Sequence, residues 1–146
     1  MQAAVLGWYA KNARALAFRR TTDAWSVLVS EVIAQQTQAA RAAAAWTKLI
    51  ARFPTPAALA EASPADVIRA WRGLGYNRRA IALRAAAIAI VDDHGGQVPD
   101  TVDELVCLPG VGPYTARAVL AIAFNHDVAA LDTNIRRVVG RALLGD

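Results

Sequence analysis

Glu31 stands in Ser30-Glu31-Val32-Ile33-Ala34-Gln35-Gln36-Thr37-Gln38, and helical spacing surrounds it with Val27, Leu28, Ala34 and Gln35. An acid with apolar residues on nearly every side has no fully polar face to occupy. Desolvation there raises a carboxyl pKa and keeps the group protonated near neutral pH, the state a general acid needs. The plainer alternative is a surface glutamate at the edge of an apolar stripe. Asp132, in Leu131-Asp132-Thr133-Asn134-Ile135-Arg136-Arg137, opens a helix and is first of all an N-cap. Capping does not exclude chemistry, because N–H groups bonded to a carboxylate favour its charged form. One protonated and one ionised carboxyl are the complementary pair of glycosidic cleavage. Whether the two meet is a question for the fold.

A second constellation is Leu108-Pro109-Gly110-Val111-Gly112-Pro113-Tyr114-Thr115-Ala116, where a helical pattern breaks and at once restarts. Two glycines around Val111 make a tight turn with backbone N–H groups turned outward, and the next helix adds the positive end of its dipole. Such a corner suits an anion, with Arg117 one turn further on. A short αα-connection rich in glycine is the bland alternative. Gln35 and Gln36 follow Glu31 by one turn, and Tyr76 sits in the glycine-bounded corner Gly73-Leu74-Gly75-Tyr76-Asn77. Amides and an exposed aromatic can wedge into a base stack, although both also occur as ordinary helix surface and loop packing. Arg78, Arg79 and Arg84 suit a phosphate track; Arg136, Arg137 and Arg141 are equally a solvated face. His94 and His126 have no spaced partners, so no metal site is assigned.

The elements that must position these residues are helices. No segment alternates with a period of two, and alanine-rich helical patterns recur throughout. The spacing predicts helices over about residues 3–18, from near Asp23 through Ala40, and over Arg41–Phe53. Others are expected from the capping box Ser63-Pro64-Ala65-Asp66 to Arg72-Gly73, from Asn77 to Asp93, and from Thr101 to Leu108. Two more follow Gly112 and Asp132, making an all-α chain of about eight short helices with Val98–Asp100 as a connector.

With 146 residues and 55% hydrophobic composition, the chain suits one globular domain. No apolar run approaches the roughly 18 residues of a membrane helix, and the first segment reads as an amphipathic helix rather than an export signal. The lone cysteine, Cys107, excludes a cysteine cage within the chain and is expected to fill core; a reducing cytoplasm fits. A net charge of +4 with pI near 9.8 favours an acidic partner, nucleic acid first.

From about Trp8 onward these motifs resemble the helix-hairpin-helix DNA glycosylase superfamily, and within it the adenine DNA glycosylases. The resemblance rests on Ser30–Gln38, Trp71-Arg72-Gly73-Leu74-Gly75-Tyr76, Leu108–Ala116 and Leu131–Val138, in that order. It implies a six-helix barrel over residues 23–146 carrying the hairpin, with residues 1–22 an N-terminal helix that belongs with an iron–sulfur half. It implies base excision repair: hydrolysis of the N-glycosidic bond of adenine mispaired with 8-oxoguanine or guanine in double-stranded DNA, by a monomer. By the same resemblance Glu31 protonates the flipped adenine, Asp132 stabilises the sugar cation, and Asn134 lies in the active site. Gln35 and Gln36 match the wedge region, and Tyr76 the tyrosine inserted beside the lesion. Gly110, Val111, Gly112 and Arg117 meet the DNA backbone, and hairpin carbonyls are a possible seat for a monovalent cation. Tyr114 stands where strand-cutting relatives such as endonuclease III carry a Schiff-base lysine, so a monofunctional enzyme is expected. The cell context implied is a bacterial cytoplasm, in association with the nucleoid.

The chain departs from the family pattern at Asn77, where a second tyrosine is common. It also ends before the four cysteines that hold the family's 4Fe–4S cluster and before the domain that helps read 8-oxoguanine, which reads as truncation ahead of the cluster half. Leu6, Trp8 and Leu16 are therefore expected to be partly exposed. Two alternatives remain open: a thymine- or uracil-mismatch glycosylase of the same superfamily, and a non-catalytic DNA-binding fragment.

Overall fold

The computed structural model describes residues 2–145. Its centre is α2 (Ala24–Ala34), in which Trp25 to Ser30, Val32 and Ile33 are all buried and Glu31 alone interrupts the run. A helix apolar on every side has to be surrounded. It packs against α3 (Ala39–Arg52), α6 (Arg78–His94) and α8 (Pro113–Ala123), while α4 (Pro56–Glu61) and α5 (Pro64–Ala70) pack on α6 and α7 (Val102–Cys107) packs on α8. Leu28, Ile33, Leu49, Trp71, Leu83, Ile90 and Leu120 fill the shared core. Every described helix is α-helical apart from a 3-10 turn at Ala17–Arg20, and the described residues contain no strand.

The helix starts follow local chemistry. Asp23 accepts from Ser26 N at 2.8 Å, Thr55 caps Ala58 N ahead of Pro56, and Ser63 caps Asp66 N ahead of Pro64. Thr101 likewise caps Glu104 N, and Asp132 accepts from Ile135 N at 2.7 Å to open α9 (Thr133–Leu144). At its far end α6 stops on left-handed Gly95, with Gly96 N–H returning to the Ile90 carbonyl at 2.9 Å.

Four sequence expectations need correction. The first helix, α1 (Gln2–Asn12), stops well short of residue 18, where the Asn12 amide turns back onto the Trp8 carbonyl. It buries none of its residues and so offers no apolar face to the barrel. The helix from Asp23 ends at Ala34 instead of running through the glutamines, because Gln36 adopts φ +55°. Leu16 is buried, unlike the exposed Leu6 and Trp8, because the 3-10 turn beside it packs on α2 and α3, with Phe18 edge-on to Trp46. Cys107 is exposed: the inward face of α7 is set by Leu105, and a residue two positions on points away. The helix α4 was not anticipated, although Thr55-Pro56 is a cap followed by proline at the first helical position.

Candidate active site

Glu31 is held on the central helix with its carboxyl largely withdrawn from water, and this desolvation raises its pKa above the ordinary glutamate value. No hydrogen bond or ion pair among the described residues compensates it. Tyr114, in the first turn of α8, has its phenol pKa raised first by burial, then by the charges of Glu31 and Asp132. Both carboxyls therefore lie within electrostatic reach of one phenol, although they are 101 positions apart in sequence (132 − 31). The packing of α8 against α2 brings Tyr114 to Glu31; the N-cap of α9 fixes Asp132. Asn134 is exposed two residues further on, in the first turn of α9.

Three turns carry the other candidate residues. In the hairpin between α7 and α8, Gly110 takes φ +77°, Val111 buries its side chain, and Val111 N–H is spent on the Leu108 carbonyl at 3.1 Å. Among the described residues the exposed Gly110 and Gly112 donate no backbone hydrogen bond, and the first N–H groups of α8 lack intrahelical partners by the nature of a helix start. Arg117 is exposed one turn in. The α2–α3 turn separates the two glutamines: Gln35 points inward, donating from Nε2 to buried Thr115 Oγ1 at 3.2 Å, while Gln36 stays exposed at the left-handed tip. The third turn carries Tyr76, 64% exposed and also left-handed at φ +48°. Both tips hold a conformation that residues with a Cβ adopt sparingly.

Two arginines assigned by sequence to a phosphate track are used internally. Arg84 donates from Nε to the Ala62 carbonyl at 2.7 Å, tying α6 to the end of α4. Arg79 sends its guanidinium into the carbonyls of the α2–α3 and Tyr76 turns, and burial lowers its pKa. Arg78 remains exposed beside them. No sequence signal separates Arg79 from Arg78; only the direction each takes from α6 does so.

The described residues hold no group of three or more His, Cys, Asp or Glu that could bind a metal ion. One exposed cysteine cannot supply the four thiolates of an iron–sulfur cluster. No described helix is long and apolar enough to cross a membrane.

One set of helices thus carries a half-buried acid, a second carboxyl within electrostatic reach of the same phenol, and an exposed glycine hairpin. Residues 29–146 match the family model for the HhH-GPD superfamily base excision DNA repair protein, and the chain belongs to that superfamily. It is 51% identical over 142 residues to the adenine DNA glycosylase of Mycobacterium tuberculosis (strain ATCC 25618 / H37Rv), covering 97% of this chain and 47% of that one. The human adenine DNA glycosylase is 39% identical over 146 residues, covering 94% and 27%. The chain thus spans about half of the mycobacterial relative and less of the human one. Among solved structures it is similar to a thermostable thymine-DNA glycosylase (TM-score 0.89, 27% identity, 94% and 64% covered). It also matches endonuclease III in a non-covalent DNA complex (TM-score 0.82, 25% identity, 96% and 66% covered).

Proposed function

We propose that this chain carries the catalytic centre of an adenine DNA glycosylase that removes adenine mispaired with 8-oxoguanine or guanine from duplex DNA. The observation that carries the reading is the placement of a desolvated Glu31 and the capping Asp132 about one phenol, Tyr114. Identity to adenine DNA glycosylases, well above that to the thymine-DNA glycosylase of similar fold, supports adenine as the base.

The flipped adenine enters between α2 and the start of α9. Glu31 gives its proton to adenine N7; the C1′–N9 bonding pair leaves with the base. The Asp132 carboxylate stabilises the positive sugar until water adds at C1′ and passes its proton to the Glu31 carboxylate, leaving an abasic site. Asn134 helps position the sugar from the same helix turn. Gln36 and Tyr76 enter the stack, while Gly110, Gly112 and Arg117 hold the backbone. Val111 contributes the shape of the turn from within the core. A tyrosine at position 114 offers no amine for a Schiff base, so the reaction ends at hydrolysis.

The test is single-turnover excision from a duplex with adenine opposite 8-oxoguanine, using this chain and a fusion to the remaining half of the mycobacterial relative. Glu31→Gln and Asp132→Asn should each slow excision by about 10²–10⁴-fold with duplex affinity little changed. Near-normal excision by Glu31→Gln would sink the mechanism.

A further inference from the structure

Arg79 joins two turns whose tips, Gln36 and Tyr76, lie 40 residues apart in the sequence. Its Nη1 faces the carbonyl oxygens of Val32 at 3.2 Å, Ile33 at 3.3 Å and Gln35, the last turn of α2. Its Nη2 donates to the Leu74 carbonyl at 3.0 Å and reaches that of Gly75 at 3.4 Å. The guanidinium carbon stands 5.3 Å from the centre of the Trp71 ring and 5.8 Å from that of Tyr76. All of the hydrogen-bond acceptors are neutral carbonyls, and three of them form the negative end of a helix, where a cation is favoured. A planar fork holds two donor nitrogens at a fixed spacing, one for each set of carbonyls; an ammonium concentrates its donors on a single nitrogen.

Each turn is also anchored from behind. Gln35 Nε2 bonds Thr115 on α8, and the indole of fully buried Trp71 donates to the Gly75 carbonyl at 3.0 Å. The residue at each tip, Gln36 or Tyr76, is left-handed and exposed. Strained backbone of this kind persists only where its surroundings over-determine it, and the shared guanidinium does so for both tips. With both Nη atoms turned inward, Arg79 is poorly placed to bind phosphate.

We propose that Arg79 is a positioning residue that clasps the α2–α3 turn and the Gly73–Tyr76 turn into one rigid unit, so that Gln36 and Tyr76 enter the base stack together. The presentation role rests on the reading of those two residues as the wedge; the clasp itself does not.

Two variants, Arg79→Lys and Arg79→Met, test it by two measurements. In hydrogen–deuterium exchange on the free chain, amides 35–37 and 74–77 should speed up together by about tenfold, with the middle of α2 and α8 still protected. In the second, 2-aminopurine is placed next to an adenine opposite 8-oxoguanine. Its fluorescence should rise on binding the unmodified chain and rise several-fold less with either variant, while affinity for a fully matched duplex stays within about twofold. Loosening of one turn alone, or of neither, overturns the clasp. Loosening of both with an undiminished fluorescence rise overturns the presentation role. Equal loss of matched and mismatched binding, or protection lost throughout the chain, reduces Arg79 to general folding and also overturns it. If the unmodified chain leaves 2-aminopurine dark, the wedge reading fails and takes the presentation role with it, while exchange still decides the clasp.

Discussion

A Cβ built on Gly110 would lie 2.9 Å from the Cβ of Ala82, and Gly110 also sits at φ +77°. The hairpin is thus pressed onto α6 at the point where its chain turns left-handed. Glycine is required there twice over, by backbone conformation and by space. Gly112 differs: at φ −90° with nothing within 4 Å of an added Cβ, it has room for a side chain in the free protein.

Gly110→Ala should therefore lower stability by about 2 kcal/mol or more through overpacking and strain, read by urea denaturation. Ala82→Gly, which alone loses about 1 kcal/mol of helix propensity, should recover part of that loss in the double variant. Strict additivity of the two changes would mean that the close approach does not govern this glycine.

At Gly112 the expected result is reversed. Gly112→Ala should leave the unfolding midpoint nearly unchanged but weaken duplex binding by roughly tenfold, about 1.4 kcal/mol, by blocking close approach of a phosphate. Arg117→Ala should weaken matched and mismatched duplexes alike and reduce the slope of log K against log salt by about one. Fluorescence anisotropy over a salt series reads both, and a loss confined to mismatched DNA would count against the hairpin as a backbone clamp.

Glu31 makes a pH prediction with a definite sign. Its folded pKa lies above the unfolded value of 4.5, so the folded state holds the proton more tightly. Its contribution is fully favourable below the unfolded pKa and is lost as pH rises through the folded one. Glu31→Gln should stabilise the chain at pH 7, and the gain should vanish below about pH 4.5. Thermal melts at a series of pH values would show it. A variant less stable than the parent at pH 7 would mean the carboxylate is stabilised by an interaction that outweighs its desolvation.

The Tyr114 phenol should ionise above the usual value of 10.0, for which burial is the first cause and Glu31 and Asp132 the next. In an ultraviolet pH titration, Tyr114→Phe should remove a phenolate step lying above 10.0, and Glu31→Gln should move that step down. Borohydride should trap no adduct at this position during base excision. An adduct mapped to residue 114 together with efficient strand cutting would overturn the monofunctional reading.

Much was legible in the linear chain because it is local. N-caps at Asp23, Ser63, Thr101 and Asp132 act within three residues, and the glycine stop after His94 closes over six. The desolvation of Glu31 was readable too, since a helix apolar on all sides can only be surrounded. What sequence could not decide depends on how helices cross. Spacing did not show that Glu31 and Asp132 share Tyr114, that Gln35 turns in while Gln36 turns out, or that Arg79 clasps two turns while Arg78 faces water. The misplaced Leu16 and Cys107 belong with these, since each was settled by a packing neighbour. Local order is written in hydrogen bonds a few residues long; the meeting of distant side chains is set by packing, which no spacing along the chain encodes.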